Sequence, residues 1–247
     1  MPFCVLCQQP VNAWRAHPAP QARCEFAQLL GAVGSDAAHY GCPHCQSNDL
    51  DRHVWLYLTA SDFESRSGAL RVLHIAPNLQ LSQRIAACQP AEYRVVDVTD
   101  AARIAPAAHT DVDLAALPFE SESFDLIICN QQLNRVPELA PVLDELARCL
   151  KTGGQLLAQV WYAPHVKHTL ELNGPVSAAE AEILFGAPDN RRLFGADLST
   201  WFARAGLTGE PRAHNVVLPN HDALEFGCNA QEPLFLFAKK PCPASPS

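Results

Sequence analysis

The sequence predicts an α/β fold with a doubly wound, mostly parallel sheet and a small cysteine-rich segment in front of it. Short apolar runs joined through an amphipathic helix are the first reason, because strands buried on both faces are almost continuously hydrophobic. Residues 124–129 and 155–161 are two such runs, and a helical pattern followed by Gly153-Gly154 connects them. The second reason is that residues 1–47 hold five of the ten cysteines and no long periodic segment.

The size and composition of the chain fit one large packed domain, or one domain of ordinary size with a small appendage. It has 247 residues, of which 48% are hydrophobic and 18% are charged, so we expect a core and not wholesale disorder. Its 18 basic and 26 acidic residues give a net charge of −8, which disfavours a protein whose main partner is nucleic acid. No apolar run reaches membrane-spanning length and no export signal begins the chain, so we expect a cytoplasmic protein with no membrane partner.

We divide the chain into three parts: a metal-binding segment at residues 1–47, an α/β domain at residues 48–240 and a disordered Pro/Ser-rich tail at residues 241–247. The first elements of the α/β domain are expected to be a helix at 49–64, a strand at 69–76, a helix at 79–88, a strand at 93–98, a short third element at Val112, a strand at 124–129, a helix at 137–150 and a strand at 155–161.

The pattern weakens after Tyr162. Residues 163–190 contain three prolines and a helical stretch at 178–184, which suggests an insertion that covers a substrate. A helix at 197–205 and two β-like runs at 213–218 and 233–238 complete the domain.

Two C-x-x-C pairs, Cys4/Cys7 and Cys42/Cys45, indicate a metal site in the first segment. Each pair forms a tight turn whose sulfurs reach one ion, and four thiolates close the coordination shell of a tetrahedral zinc. The site is therefore predicted to be structural, and its binding energy would offset the poor core of this segment.

Other cysteines and histidines are given no metal role in this prediction. Possible substitutes near the two pairs are Cys24, His17, His39 and His44. The cysteines that occur singly in apolar surroundings, and are expected to be small core residues, are Cys88, Cys129, Cys149 and Cys228.

The order of motifs in the middle of the chain resembles the second half of a class I S-adenosylmethionine (SAM) dependent methyltransferase domain. The motifs are an L-P-F turn at 117–119, an F-D-hydrophobic strand from Phe124 and a K-x-G-G turn at 151–154. The resemblance implies a Rossmann-like methyltransferase sheet that binds SAM.

The N-terminal half is similar to a bacterial group of methyltransferase-domain proteins that carry a zinc ribbon. The ribbon ends in Cys42-Pro43-His44-Cys45, a helix containing Arg52-His53 follows, and a strand reads V-L-H-I-A-P at 72–77. This similarity runs from Cys4 to about Leu207. Arg52 and His53 could be functional, but we favour the interpretation that they are partly buried side chains of the helix.

The resemblance and the strand ends together give a set of candidate cofactor residues. Ligands of such sheets lie beyond the carboxyl ends of the strands. An acid at a strand end can bind the ribose hydroxyls; Asp97 is the favoured residue for this role and Asp100 is its competitor. Relatives also place an acid near the adenine, and here Asp113 is favoured, with Asp111 as the alternative. The full set is His74, Ala76, Asn78, Asp97, Asp113, Leu114, Asn130 and Gln131. The loop after residue 75 has no glycine, a departure that the resembling group shares.

The sequence assigns no catalytic residue. Relatives commonly have L-E-H after the fourth strand, where this chain has Leu133-Asn134-Arg135. A second pattern of the relatives, D-H-V-R-x-Y-G, corresponds to residues 189–195 of this chain, in which Asn190 and Phe194 replace the His and the Tyr. These changes remove proton-handling groups and suggest a divergent or weakened site. The residues after the last strand that could line the pocket instead are Tyr162, His165 and His168, although ordinary loop positions are favoured for them.

Two functions follow from this sequence. The preferred one is SAM-dependent methyl transfer to a small-molecule or protein acceptor, because in-line positioning contributes more to this reaction than acid–base chemistry. The alternative is a weakened or inactive SAM-binding protein that docks a protein partner through the zinc ribbon. RNA modification guided by the ribbon is a third hypothesis, which the acidic charge weakens.

Overall fold

The structure, a computed structural model, describes residues 1–18, 24–98, 112–172 and 177–241. The β-strands in this part are β1 (Phe3–Cys4), β2 (Gln9–Pro10), β3 (Arg71–Ile75), β4 (Glu92–Val96), β5 (Phe124–Cys129), β6 (Leu150–Leu157), β7 (Leu170–Glu171), β8 (Arg192–Leu193), β9 (Leu207–Thr208) and β10 (Leu236–Lys239). The α-helices are α1 (Glu25–Leu29), α2 (Asp49–Ala60), α3 (Phe63–Arg66), α4 (Leu79–Ala87), α5 (Leu139–Cys149), α6 (Ala178–Phe185), α7 (Leu198–Arg204) and α8 (His214–Val217).

A six-stranded sheet with the order β4-β3-β5-β6-β10-β9 forms the centre of the molecule. The first four strands are parallel to one another, and β10 is antiparallel to both of its neighbours. Helix α4 connects β3 to β4 and helix α5 connects β5 to β6. The α/β prediction and the mainly parallel sheet are confirmed.

Helices cover both faces of this sheet, as the doubly wound prediction requires. Alternate strand residues enter two separate clusters: Ile127 of β5 belongs to the one that contains α5 and α7, whereas Leu126 and Ile128 belong to the one that contains α2 and α4. Such alternation places consecutive side chains on opposite faces, and β5 is buried from both sides.

Several elements differ in extent from their prediction. The helix expected to run to residue 64 ends at Ala60, because Asp62 adopts a left-handed backbone (φ 57°) and α3 starts after it. Strand β6 starts at Leu150 and passes through Gly153-Gly154, where the pairing with β5 shifts register. The chain is tight there, since a Cβ on Gly154 would lie 2.8 Å from the carbonyl oxygen of Lys151.

The β-like prediction for residues 213–218 is wrong. Residues 214–217 form the short helix α8, and the buried side chain of His214 at its start is held by hydrogen bonds and not by a strand ladder. The prediction for 233–238 corresponds to β10, which begins three residues later than expected.

The N-terminal segment packs along the α/β domain. Backbone hydrogen bonds join Val33 to Tyr162 in both directions, at 2.6 and 3.3 Å, just beyond β6. Helix α1 packs against α6 in a small apolar cluster that includes Cys24 and Phe185. We call residues 24–41 the N-terminal strap, because they lie across the end of the sheet.

Some predictions fall on residues that the structure does not describe: Asp100, Asp111 and residues 242–247 of the tail. Val112 is described and lies outside any strand. In the described ranges, none of the helices combines the length and the apolar character that crossing a membrane requires. Of the single cysteines, Cys129, Cys149 and Cys228 are buried in the core as expected, and Cys88 is half-buried.

Candidate functional site

The carboxyl ends of three neighbouring strands meet at one edge of the sheet. Ile75 of β3 pairs with Val96 of β4 on one side and with Cys129 of β5 on the other. The residues that follow these three positions, Ala76, Asp97 and Asn130, therefore lie side by side. We call this edge the carboxyl rim.

Ala76 gives the loop after β3 the backbone shape that usually calls for glycine. Its φ is +45°, and its N–H donates to the carbonyl oxygen of Val96 at 2.8 Å. A non-glycine residue with positive φ is strained, so the tight turn is retained here at a cost of about 1 kcal/mol. The absence of a glycine in this loop has not removed the turn.

Asn78 lies directly before α4, and its side chain contacts a residue that the sequence did not single out. Its Nδ2 donates to Oδ2 of Asp51 at 2.7 Å. Asp51 is fully buried in the first turn of α2, and burial raises its pKa to about 7 against the lowering effect of that hydrogen bond. The signal available in the sequence was the helix start at Asn48, whose side chain caps the N–H of Asp51 at 2.7 Å.

Asn130 and Gln131 present two buried polar atoms with no hydrogen-bond partner in the described part of the chain. These atoms are Oδ1 of Asn130, an acceptor, and Nε2 of Gln131, a donor. Gln131 has a left-handed backbone (φ 57°), and its N–H donates to the carbonyl oxygen of Gln159 at 2.8 Å. Because buried polar groups are nearly always paired, adjacent orphan atoms indicate a ligand or water at this point.

The second acidic candidate lies close to the first. The N–H of Val112 donates to the carbonyl oxygen of Asp97 at 3.4 Å, which brings residues 112–114 beside the end of β4. The Asp113 side chain is exposed and accepts the N–H of Ala115 at 2.9 Å, while Leu114 is buried. Asp97, Asp113 and the apolar side chain of Leu114 thus lie near the rim.

His74 is not at the rim. Its side chain lies inside the molecule on the face of the sheet that α4 covers, with Nδ1 2.9 Å from the hydroxyl oxygen of Tyr93. Burial lowers the pKa of His74 to about 3, so the imidazole is neutral. Its geometry is that of a support beneath β3.

The two motifs that depart from the relatives have structural roles here. The buried side chain of Asn134 accepts the N–H of Trp161 at 3.1 Å and donates to the carbonyl oxygen of Arg192 at 3.2 Å. Nδ2 of Asn190 donates to the carbonyl oxygen of Phe185 at 2.7 Å, and Phe194 is fully buried. None of these three side chains handles protons.

The loop residues after β6 differ in exposure. Tyr162 is half-buried with its ring edge-on to Phe235 at 5.4 Å, whereas His165 and His168 are exposed. His168 has only a distant carboxylate, Asp197, at 3.7 Å. These positions agree with the favoured prediction of ordinary loop residues for the two histidines.

A cavity of about 510 Å³ adjoins the carboxyl rim. Gln131 and Trp161, which follow β5 and β6, form one wall, and the N-terminal strap forms the opposite wall. A larger cavity of about 610 Å³ lies at the other end of the strands, beside Asp125 and Gly153. The cavity of about 610 Å³ is therefore separated from the carboxyl rim by the length of the strands. The cavity of about 510 Å³ is the one relevant to ligand binding, because ligands of such sheets lie beyond the carboxyl ends of the strands.

The four predicted zinc ligands come together. Their sulfur atoms all lie within 4.8 Å of one another, with Cys4 and Cys45 at 3.8 Å and Cys7 and Cys42 at 3.8 Å. A tetrahedral zinc with Zn–S bonds of about 2.3 Å requires sulfurs about 3.8 Å apart, so the four thiols fit the ion. Cys24, His17, His39 and His44 are not part of this cluster.

The helix that follows the ribbon contains a buried polar network that sequence reasoning missed. His53 has Nδ1 2.7 Å from Oε2 of Glu232 and Nε2 2.7 Å from Nδ1 of His214. Arg52 is also fully buried, so both side chains are buried more completely than the partial burial favoured from the sequence. The partners are more than 160 positions away in the sequence, so no local pattern could reveal them.

Comparison with known proteins supports one class of domain. Residues 67–158 match the family described as "Methyltransferase domain". The arsenite methyltransferase of Mus musculus is 33% identical over 94 residues, which are 38% of this chain and 23% of that relative, so the matched part spans less than a quarter of the curated protein.

Two solved structures illustrate the likeness in fold. An S-adenosylmethionine dependent methyltransferase from Mesorhizobium loti is 15% identical, with 73% of this chain and 94% of that chain covered and a TM-score of 0.46. The YcgJ protein from Bacillus subtilis is 16% identical, with 77% and 100% covered and a TM-score of 0.43. The expectation of a class I methyltransferase domain is confirmed for residues 67–158 by the family match.

Proposed function

We propose that this protein is a SAM-dependent methyltransferase whose cofactor lies along the carboxyl rim. The observation that carries the proposal is the pair of orphan polar atoms on Asn130 and Gln131, located at the end of the central strand of a methyltransferase domain. A donor and an acceptor buried without partners would be costly unless a polar ligand satisfies them. The cofactor offers such groups.

The proposed cofactor contacts follow the arrangement of the rim. Ala76 and Asn78 form the turn against which the methionine part lies, Asp97 accepts the ribose hydroxyls, Asp113 and Leu114 border the adenine, and Asn130 and Gln131 complete the pocket beside the sulfonium. His74 stabilises this arrangement from below through Tyr93.

The chemistry depends on positioning. SAM supplies a methyl group on a positively charged sulfur, which leaves as a neutral thioether. The protein's residues hold the acceptor in line with that methyl group and exclude water, and well-oriented reactants gain about 7–11 kcal/mol in this way. No proton-handling group is required when the acceptor has a free electron pair. The structural roles of Asn134, Asn190 and Phe194 are therefore compatible with catalysis.

We propose a structural zinc ion held by Cys4, Cys7, Cys42 and Cys45. The sulfur separations fit a tetrahedral ion, and Ser47 adds a hydroxyl 3.2 Å from the sulfur of Cys45. Four thiolates leave no open coordination position, so the ion would hold the ribbon and take no part in methyl transfer. No disulfide joins the described cysteines, which suits the cytoplasm that we propose as the compartment.

We propose that the methyl acceptor is a small molecule or a protein. Nucleic acid is disfavoured as a partner by the net charge of −8. A protein partner could dock on the ribbon, where Cys7 and Cys45 keep part of their surface exposed.

Calorimetry with SAM and S-adenosylhomocysteine tests the cofactor proposal. The zinc-loaded protein should bind both, and Asp97→Ala should weaken binding at least about tenfold, the scale of a lost charge-assisted hydrogen-bond pair. Asp144→Ala removes the same charge from an exposed position on α5 and should leave the affinity unchanged. A folded, zinc-loaded sample that binds neither compound would contradict the enzyme and the SAM-binding alternative together, whereas binding without transfer to any acceptor would favour the alternative.

A further inference from the structure

We infer that the cavity between the N-terminal strap and the carboxyl rim is the acceptor site, and that the acceptor is a small molecule with an amino group. The inference rests on the proposed function, because an acceptor site must adjoin the methyl donor. It narrows the acceptor from a small molecule or protein to one chemical class.

The location of the cavity is the first argument. Gln131, one of the proposed cofactor contacts, also forms part of the cavity wall. A molecule in the cavity would therefore share a boundary with the cofactor, which the direct displacement of a methyl group requires.

The size of the cavity and the fixed position of the strap are the second argument. Its volume of about 510 Å³ lies within the range of small-molecule sites. The strap is fixed over it by main-chain bonds between Val33 and Tyr162, and by Nδ2 of Asn229, which donates to the carbonyl oxygen of Gly34 at 2.7 Å. A strap held in this way forms one fixed wall of a site whose volume suits a small molecule.

Trp161 and Asp36 determine the chemical class. The indole of Trp161 is packed between two glycines: a Cβ on Gly34 would lie 3.1 Å from its Cδ1 and Nε1, and a Cβ on Gly186 would lie 2.1 Å from its Cη2. Glycine at both positions therefore lets the ring lie in the cavity wall. An aromatic face attracts a cation, and a carboxylate two residues beyond Gly34 adds an opposite charge.

Asp36 is ionised at neutral pH. Burial acts to raise its pKa, but hydrogen bonds from the His39 ring and from the N–H of Ala38 outweigh burial and lower it. Within the described residues that line the cavity there is no lysine or arginine, while several neutral amides are present, namely Gln28, Gln131, Asn229 and Gln231. The basic side chain among these residues is that of His17. A carboxylate or phosphate on the acceptor would therefore find no permanently charged cation, whereas an ammonium ion would find the carboxylate of Asp36.

The transfer step balances for an amine. The bound ammonium ion first releases one proton to water. The electron pair of the resulting neutral nitrogen forms the new N–C bond, the bond between the methyl carbon and the sulfonium sulfur breaks, and the sulfur keeps that electron pair. The product is a methylated ammonium ion, so one proton is released in total. No further reactant is needed.

Calorimetric titration of the zinc-loaded full chain with tyramine tests the inference. Its matched control is 4-hydroxyphenylacetate, which has the same ring but carries a carboxylate in place of the amine. Tyramine should bind, and the acid should bind at least about tenfold more weakly. Saturating S-adenosylhomocysteine should leave the tyramine affinity equal or higher.

Variants locate the binding. Ala32→Phe fills the cavity and Asp36→Asn removes its charge, and each should weaken tyramine binding at least about tenfold. Leu29→Phe adds the same ring to the same strap at a side chain that is 85% exposed and outside the cavity, and it should change nothing. Melting curves of all variants confirm that they are folded.

Failure of the inference is distinguishable from failure of the proposed function. Absence of tyramine binding, equal binding by Ala32→Phe or by the acid, or competition between tyramine and S-adenosylhomocysteine would each overturn the acceptor assignment. The affinity for SAM, measured in the same samples, decides the cofactor proposal separately.

Discussion

At the scale of single residues, a small number of buried polar and strained positions determine how this protein works. Ala76 shows this most directly, because its backbone has the left-handed conformation that glycine adopts at little cost. Its methyl group must therefore be tolerated at the rim, next to the proposed cofactor.

We expect Ala76→Gly to raise the free energy of unfolding by about 0.5–1 kcal/mol, because the relief of backbone strain exceeds the added flexibility of the unfolded chain. Ala76→Val should lower it by about 1–2 kcal/mol, since a β-branched side chain is worse at positive φ. Ala86→Gly, at an exposed position in the last turn of α4, should have the opposite sign to Ala76→Gly and cost up to about 1 kcal/mol. Urea unfolding measures all three; equal destabilisation by both glycine variants would contradict the strain.

Hydrogen bonding in the network of His53 determines where its protons lie. The carbonyl oxygen of His221 accepts from Nε2 of His214 at 2.9 Å, so Nδ1 of a neutral His214 must accept from Nε2 of His53. Nδ1 of a neutral His53 then needs a donor, and Glu232 can be that donor only when it is protonated. The pKa shifts agree with a protonated Glu232 and a neutral His53, because burial raises the pKa of Glu232 to about 8 and lowers that of His53 to about 3.

Glu232→Gln should make the protein less sensitive to alkaline pH. The pKa of Glu232 is higher in the folded state, so its contribution to stability is complete below the unfolded value of 4.5 and is lost as pH rises towards 8. A glutamine keeps a donor for His53 and does not titrate. Between pH 6 and pH 8 the variant should therefore gain on the order of 2 kcal/mol relative to the parent protein.

The exposed Glu182 provides the control for this measurement, because Glu182→Gln should leave the pH profile of stability unchanged. The other ionisable groups that burial affects beside Glu232 are Asp49, Tyr57, His214 and Cys228. The charge of Glu232 influences the pKa values of all four groups, so the difference between the two proteins reports Glu232 together with its effect on these neighbours. Parallel profiles would show that Glu232 is ionised in the folded state.

At the scale of elements, the segment that contains the four clustered cysteines contacts the α/β domain through α4. Nε2 of Gln80, in the first turn of α4, donates to the carbonyl oxygen of Cys45 at 2.8 Å. The same helix starts after Asn78, which is bonded to Asp51 of α2. The cysteine-rich segment thereby helps to fix the start of α4, the helix that follows the loop at Ala76.

Cys42→Ser should release zinc and lower the free energy of unfolding by at least about 3 kcal/mol, since structural zinc sites contribute on the order of 10 kcal/mol. Cys88→Ser changes a half-buried cysteine outside the cluster and should retain the full zinc content. Metal analysis and thermal melting measure both effects. Unchanged zinc in Cys42→Ser would refute the four-thiolate site.

The elements that the sequence predicted well are those with a strong local pattern. Strand β5 was predicted at its observed bounds, and α5 and α6 within one or two residues, because continuous apolar runs and 3.6-residue periodicity are encoded locally. Residues 213–218 are apolar enough for a strand, yet the distant bond to His53 holds His214 at a helix start. The aperiodic strap gave no signal of its position.

The residues of the candidate site also fall into those that the sequence predicted and those that it did not. The sequence placed Ala76, Asp97 and Asn130 on one rim because the carboxyl ends of parallel strands coincide. It missed Asp51, which reaches the rim from α2, and it included His74, whose side chain lies beneath β3. Register within a strand is predictable, whereas the contribution of a preceding helix depends on tertiary packing.

At the scale of the whole molecule, the N-terminal segment and the α/β domain share one buried charge. The guanidinium of Arg52 donates to the carbonyl oxygens of Ser47 at 2.6 Å, His39 at 2.7 Å and Gly227 at 2.6 Å. It also lies over the ring of Trp14 at 4.2 Å. Arg52 therefore joins residues 1–47 to the loop before β10, beside the direct bonds between the two regions such as that of Asn229 to Gly34, and we expect both to unfold together with the sheet.

Arg52→Leu tests this coupling. It leaves the carbonyl oxygens of three chain segments without a donor, so the free energy of unfolding should fall on the order of 4 kcal/mol. Arg66→Leu, an exposed arginine at the end of α3, should cost less than about 0.5 kcal/mol. Hydrogen exchange of Arg52→Leu should show that residues 33–47 and 222–232 lose protection at the same rate, because one donor serves both. Loss of protection confined to the N-terminal residues would mean that the ribbon segment and the α/β domain are separate folding units.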